Sequence, residues 1–458
     1  MEQRTGNIWL FAAKTALFFA IVGVFFIGQF IFYRQTIFFF WGNVIVILLY
    51  TANLLFTGKV YNAFNFGSMD VKELLLSWGL CLFIANVLQY LMLSLIREML
   101  LPVTGFLLIL LTQAVLTVPM IILIDRLYYR IHPAHKAIII YGDEDRAYEY
   151  RNLIESHRRK FEICWIAPQS SPQANLLRFI EGSDSVFFLD VNERIREPLL
   201  EHCFKHGKRT YIMPTFSNVL INTAGISWIS NTPMLLLEDP EPDVGTRFIK
   251  RVMDITLSLL ALLMFSWLML IIWILIRLND NHPAIYKQVR VTKGGRQFTL
   301  LKFRSMRPDA EDDGIPRLTA KDDKRITPIG RFIRKTRIDE FPQLLNVLSG
   351  AMSLVGPRPE RPEIAKQYEE IYPNFSFRTK VKAGMTGFAQ IYGRYNTAPE
   401  EKLFLDIMYI EKMSIWQDIK LLLQTLKIVF KTSSTEGIEK NSTTAIRNTE
   451  KEDRGGDS

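Results

Sequence analysis

The sequence predicts three parts in series: a membrane α-helical N-terminal bundle, an α/β Rossmann-like middle domain, and an α+β C-terminal domain entered through one more membrane helix. Three observations predict this. Four apolar runs of near-membrane length fill residues 1–130. Strand and helix patterns alternate over residues 136–237. A fifth apolar run, at 247–277, leads into a charged, motif-rich stretch at 278–431. A linker at 238–246 separates the second part from the third, and residues 432–458 form a tail.

The first four runs lie at 15–33, 37–56, 74–95 and 103–124, each near the ~20 residues that span a bilayer. The first is too long, and too soon followed by others, to be a cleaved signal peptide. Four spans leave both flanks on one side. Arg126, Arg130, His132, His135 and Lys136 follow the fourth, so the positive-inside rule places both flanks in the cytoplasm. Asn86 inside the third run is read as glue between helices. The net charge of +9 suits an anionic partner, either a phosphate-bearing substrate or an anionic membrane surface. Nucleic acid is not expected as a partner. Cys81, Cys164 and Cys203 have no metal or disulfide spacing.

In the middle domain, AIIIYG at 137–142 reads as a buried strand. A helix follows at 146–159, strands at 161–166 and 185–190, a helix at 192–206 and a strand at 209–214. Such alternation implies a parallel sheet. A dinucleotide fingerprint would begin at Gly142, but the sequence there is G-D-E-D-R-A, and three carboxylates would repel a pyrophosphate. The domain is expected to serve a structural or regulatory purpose.

The fifth run is flanked by cations at both ends: Arg247, Lys250 and Arg251 before it, Arg277, Lys287 and Arg290 after it. A re-entrant segment, entering and leaving by the same face, fits both flanks. Ser266, next to Trp267, lies within the run, and a Ser can bend a helix by bonding back to a carbonyl. Two strands at 286–306, joined at 293–296, place Lys302 and Arg304 on one face. Residues 308–327 read as a charged, mobile flap.

The stretch 331–360 concentrates the chemistry. Arg331, Arg334, Lys335 and Arg337 precede Asp339 and Glu340. Asp339 reads as a helix N-cap, with Pro342 tolerated in the first turn. Both carboxylates would then sit at the positive end of a helix, ionised and among arginines. Pro357 and Pro359 stiffen the backbone around Arg358, so that Arg loses little entropy on binding a phosphate. Residues 398–430 form two amphipathic helices, and the polar tail at 432–458 is expected to be disordered.

The runs DEFPQLLNVL (339–348) and MSLVGPRPE (352–360), with KFRSM at 302–306, resemble the bacterial sugar transferases over about 248–431. These are the monotopic polyprenyl-phosphate phosphoglycosyl transferases, and the order of the three parts is similar to their large form. The resemblance implies transfer of a sugar-1-phosphate from a UDP-sugar to undecaprenyl phosphate, with UMP released. This is the priming step of exopolysaccharide, capsule or O-antigen synthesis. It implies Asp339 as nucleophile and Glu340 as a Mg²⁺ ligand. Lys302, Arg304, Arg334, Pro357, Arg358 and Pro359 would hold substrate. A homodimer in the bacterial inner membrane, with a cytoplasmic catalytic domain, is implied as well. It also implies a re-entrant helix with its membrane break at Ser266. Two positions depart from the family: Trp267 follows Ser266 where proline is usual, and Ala383 replaces a proline. Two rivals are a membrane-anchored nucleotide-sugar dehydratase or epimerase, which the missing glycine fingerprint opposes, and a non-catalytic scaffold, which the intact Asp-Glu pair opposes.

Overall fold

The structure is a computed structural model that describes all residues except 1, 34–40, 145, 223, 238–241, 281, 308–322, 324, 394–398 and 430–458. Its contacts divide the chain into two units, Met1–Pro214 and Thr215–Ser458.

The first unit opens with α1 (Glu2–Phe32), α2 (Gly42–Val60), α3 (Val71–Ile96) and α4 (Val103–Ile131). All four are long and apolar enough to cross a membrane, by length and composition. Large side chains such as Tyr50, Trp78 and Ile121 fill the interior, while Phe11, Leu48, Leu91 and Leu111 point outward. Inside a bilayer both faces of such a bundle are apolar, so polar bonds and packing hold it together. One network does this for all four helices. Asn86 Nδ2 on α3 donates to Gln113 Oε1 on α4 at 2.7 Å. Gln113 Nε2 donates to the Tyr50 hydroxyl of α2 at 2.8 Å and to the Ile21 carbonyl of α1 at 3.1 Å.

The sheet domain follows: β1 (His135–Tyr141), α5 (Ala147–Glu155), β2 (Phe161–Pro168), α6 (Gln173–Glu181), β3 (Ser185–Leu189), α7 (Glu193–Lys205) and β4 (Arg209–Ile212). The strands are parallel in the order β2-β1-β3-β4. Central strand β1 is buried on both faces, which accounts for its unbroken apolar run. Helix α6 was not foreseen in the sequence. At the strand ends, where doubly wound folds hold ligands, the protein bridges itself. Arg146 pairs with Asp190 at 2.9 Å, and Gln169 Oε1 accepts the Asn192 N–H at 2.8 Å. A β-carbon at Gly142 would stand 1.9 Å from the Asp190 carbonyl oxygen, so this glycine serves close packing.

The second unit begins earlier than the sequence boundary at 237. Helix α8 (Phe216–Ile221) packs Phe216, Val219 and Leu220 against Ile364, Tyr368, Phe375 and Phe404, all of the C-terminal part. An antiparallel hairpin, β5 (Gly225–Ile229) and β6 (Thr232–Leu236), turns through Ser230 and Asn231, both at positive φ.

Helix α9 (Val244–Asp280) corrects the expected break. It is one helix through Ser266 and Trp267. Ser266 Oγ does bond back to the Leu263 carbonyl, at 3.0 Å. Without a proline, however, no backbone N–H is lost and nothing forces the helix apart. Asp254, Ser258, Ile272 and Ile276 form a buried stripe, filled in by Ala261, Leu262, Leu268 and Met269. The opposite side is exposed and apolar: Leu259, Leu260, Leu263, Trp267 and Leu270.

Strands β7 (Ile285–Val291) and β8 (Gln297–Phe303) pair antiparallel, as the sequence implied. Then come α10 (Pro328–Lys335), a 3₁₀ turn (Ile338–Glu340), α11 (Gln343–Ser349), β9 (Ser353–Val355), α12 (Pro362–Ile371), a second 3₁₀ turn (Pro373–Lys380), β10 (Gly384–Thr386), α13 (Phe388–Tyr392), α14 (Pro399–Glu411) and α15 (Ile415–Val429). Strands β9 and β10 form a short parallel pair. Most of the expected flap and all of the tail lie outside the described residues.

Candidate active site

Asp339 and Glu340 occupy the 3₁₀ turn, closed by the Phe341 N–H to the Ile338 carbonyl at 3.1 Å. This corrects the N-cap expectation. Pro342 takes the position just before α11, and the helix begins at Gln343. Arg337, leading into the turn, holds a left-handed φ of 58°. A non-glycine residue there is strained, which is characteristic of sites whose surroundings over-determine the backbone.

The cations converge on Glu340. Arg358 Nη2 lies 3.0 Å from Glu340 Oε1, and Lys302 Nζ 3.7 Å from the same oxygen. Burial alone would push the Glu340 carboxyl up. The charges of Arg358, Lys302 and Arg337 outweigh it and hold the group well below the usual carboxylate range. Asp339 goes the other way. Burial, then the charge of Glu340, raises it to about 6, against the pull of Lys302, Arg334 and Arg358. Burial also lowers the Lys302 ammonium to about 8, opposed by the two carboxylates. Adjacent carboxylates pushed apart in this way can take different roles, one permanently charged and one poised near neutrality.

The loop carrying Arg358 is fixed by its own carbonyls. The Pro357 carbonyl accepts the Gly384 N–H at 2.8 Å. That of Arg358 accepts Arg378 Nη2 at 2.9 Å, and that of Pro359 accepts Arg290 Nη1 at 2.9 Å. Behind the loop, Arg378 pairs with Asp406 at 2.6 Å and with Glu360 at 3.6 Å. A β-carbon at Gly384 would stand 2.1 Å from the Gly356 nitrogen, so only glycine lets these backbones meet. Ala383, the departure from the family's proline, donates its N–H to Thr292 Oγ1 at 3.1 Å, a bond proline could not make.

The structure thus gathers Asp339, Glu340, Lys302, Arg334 and Arg358, with buried Pro357 and Pro359 flanking the last. Arg304 follows β8 in the same alternation as Lys302, its N–H bonded to the Ala284 carbonyl at 2.9 Å. Ser266 is no part of this constellation. It sits on the exposed side of α9. Sequence reasoning missed the supporting arginines Arg290 and Arg378 and the carboxylate Asp406. One signal existed: Asp406 interrupts the apolar face that Leu403, Ile407 and Ile410 form on α14, and a carboxylate on a buried face calls for a buried cation.

A family model described as bacterial sugar transferase matches residues 245–432. The chain is similar to an undecaprenyl-phosphate galactose phosphotransferase of Salmonella typhimurium, 34% identical over 328 residues, which cover 65% of this chain and 68% of that protein. It is 40% identical over 185 residues to a UDP-N-acetylgalactosamine-undecaprenyl-phosphate N-acetylgalactosaminephosphotransferase of Aeromonas hydrophila, covering 40% of this chain and 44% of that one. A UDP-glucose:undecaprenyl-phosphate glucose-1-phosphate transferase of Escherichia coli is 37% identical over 203 residues, covering 43% and 44%. The last two matches span less than half of each relative's length.

Proposed function

Because the chain belongs to the bacterial sugar transferase family, we propose that it transfers a sugar-1-phosphate from a UDP-sugar to undecaprenyl phosphate. The observation that carries this reading is the partly buried Asp339–Glu340 pair in a frame of fixed cations. An Asp339 carboxylate oxygen attacks the sugar-linked phosphorus. That O–P bond forms as the bond to the bridging oxygen breaks, and UMP leaves with that oxygen. An oxygen of the lipid phosphate then attacks the same phosphorus and displaces the carboxylate. Both substrates are anions, so Lys302, Arg334, Arg358 and Arg304 screen them before a carboxylate can approach.

An oxygen-only donor set of one or two carboxylates, completed by substrate phosphates, suits Mg²⁺. Glu340, held ionised, would hold it, and the ion would neutralise diphosphate charge there. The site is set in the membrane by α9. Its buried stripe from Asp254 to Ile276 rests on the catalytic elements over ~33 Å at 1.5 Å per residue. A full crossing would drag α10, the 3₁₀ turn and α11 into hydrocarbon, where their backbone and charges are costly. Both ends of α9 therefore stay on the cytoplasmic face of the inner membrane, with the exposed apolar side toward lipid. A homodimer is supported by the β5–β6 hairpin, which exposes Ile226, Trp228 and Leu235 on a two-stranded unit that is marginal alone.

The test is UMP release from a panel of UDP-sugars with undecaprenyl phosphate. The relatives' names carry galactose, N-acetylgalactosamine and glucose, so these three come first. Release with at least one, lost in Asp339→Asn, is the expected result. No release with any UDP-sugar from folded protein would refute it.

A further inference from the structure

A second cluster of cations lies at the far end of α11 from the carboxylates. Gly350 closes that helix at a φ of 87°. A β-carbon there would stand 3.4 Å from Arg251 Nη2 and 3.7 Å from Lys382 Nζ, so two cationic heads converge on this corner. Arg251 donates to the carbonyls of Val347 and Leu348, both at 2.7 Å, which fixes its guanidinium in place. The β7–β8 turn contributes Lys293 and Arg296. Gly294 and Gly295 between them stand at positive φ with open space around them. Thr292 pins the turn, donating to the Ala351 carbonyl at 2.9 Å and accepting the Ala383 N–H at 3.1 Å.

Lys382 is half-buried, and its Nζ makes no hydrogen bond among the described residues. Burial and then Arg251, Arg296 and Lys293 lower its pKa, while Asp254 opposes them. Asp254 is already bonded to the Leu354 N–H at 3.1 Å. Four cations against this one carboxylate leave a surplus of positive charge that a bound anion would offset. The neighbouring Lys250 shows the contrast, since it is neutralised by Asp418.

We propose that Lys382, Arg251, Lys293 and Arg296 bind the phosphate of an anionic phospholipid, separately from the carboxylate pair. The occupant follows from position. Exposed Phe248, Ile249 and Val252 flank Arg251 on α9, so a ligand at this corner joins a charged head to hydrocarbon. The inference rests on the reading that α9 lies in the membrane.

The test uses the full chain in neutral detergent. Thermal unfolding is followed against dioctanoyl phosphatidylglycerol, dioctanoyl phosphatidylcholine and inorganic phosphate. Phosphatidylglycerol should raise the transition in the wild type, with the other two nearly inert at equal concentration. The Arg296→Gln, Lys382→Gln double variant should need at least about fivefold more lipid for the same shift. If the double variant does not fold, Arg296→Gln alone, on an exposed turn, should weaken the response up to about fivefold. An unchanged response in the variant overturns the proposal, as does a full shift by inorganic phosphate. UMP release on the same samples keeps the two readings apart: a wild type that binds lipid but releases no UMP refutes the transferase, not this site.

Discussion

Ionised Asp339 should destabilise the enzyme it serves. Burial and the Glu340 charge raise its pKa from 3.8 to about 6. Spread over that gap, the ionised form costs the folded state about 3 kcal/mol. The sign follows from linkage. With the folded pKa raised, the group's stabilising contribution is complete below 3.8 and is lost as the pH rises through about 6. Asp339→Asn removes the charge and keeps the shape. At pH 7.5 the unit Thr215–Ser458, which carries Asp339, should therefore unfold several degrees higher in the variant than in the wild type while turnover disappears, at ~2–4 °C per kcal/mol for a unit of that length. At pH 5 the gap should shrink to roughly half.

The same shift sets the rate profile. UMP release per enzyme and substrate should fall on the acid side as Asp339 is protonated near pH 6, and on the alkaline side as Lys302 loses its proton near pH 8. Lys302→Arg keeps the charge at every pH and should abolish the alkaline limb alone. An acid limb near pH 4, or an Asp339→Asn protein no more stable than wild type at pH 7.5, would refute the reasoning.

Further outcomes are expected from the same site and its membrane helix. Glu340→Gln should impair turnover and raise the Mg²⁺ concentration needed for half-maximal rate, so an unchanged Mg²⁺ dependence counts against Glu340 as a ligand. Labelled UDP-sugar without lipid should leave label on Asp339 and release up to one UMP per site; UMP that appears only with lipid indicates direct transfer. In a Cys-free background, Val244→Cys and Asn279→Cys should both react with a membrane-impermeant thiol reagent from the cytoplasmic side only. Position 254 is unsuitable as a probe, because Asp254 is buried and holds the Leu354 N–H.

What was legible in the sequence followed from periodicity and from residue types that act locally. The four spans, the strands β1 to β3 and the β7–β8 hairpin all declare themselves through short-range pattern. Lys302, Asp339, Glu340 and Arg358, which the structure brings together, could be singled out because they sit in contiguous motifs. Four things were not legible. Helix α6 hides in SPQANLLRFIE because it is only nine residues long and follows a Pro in a polar, loop-like stretch. The position of α8 depended on contacts to residues some 150 positions later, which no window of sequence reports. The break at Ser266 was inferred from a partial motif, and a serine alone bends a helix without opening it. The carbonyl clamp of Arg290 and Arg378 is purely tertiary: its donors and acceptors come from separate segments.

The arrangement of α9 explains why the membrane and the chemistry belong to one domain. Lys250 Nζ donates to the Val355 carbonyl at 3.1 Å and pairs with Asp418, while Asp254 accepts the Leu354 N–H. Tyr409 joins the same knot, donating to Asp418 at 2.8 Å. Leu354 and Val355 lie in β9, only a few residues before Arg358, and Arg358 grips Glu340. The start of the apolar helix is therefore tied, by buried bonds, to the segment that leads into Arg358. Depth in the bilayer and height of the site cannot vary independently. If α9 lies in the membrane and Asp339 is the nucleophile, as proposed, a lipid phosphate in the head-group layer would meet Asp339 only at one height, and fixing that height removes a search that free diffusion would otherwise impose. Lys250→Met should then slow the lipid-dependent step more than release of the first UMP, since only the former needs the two heights to agree.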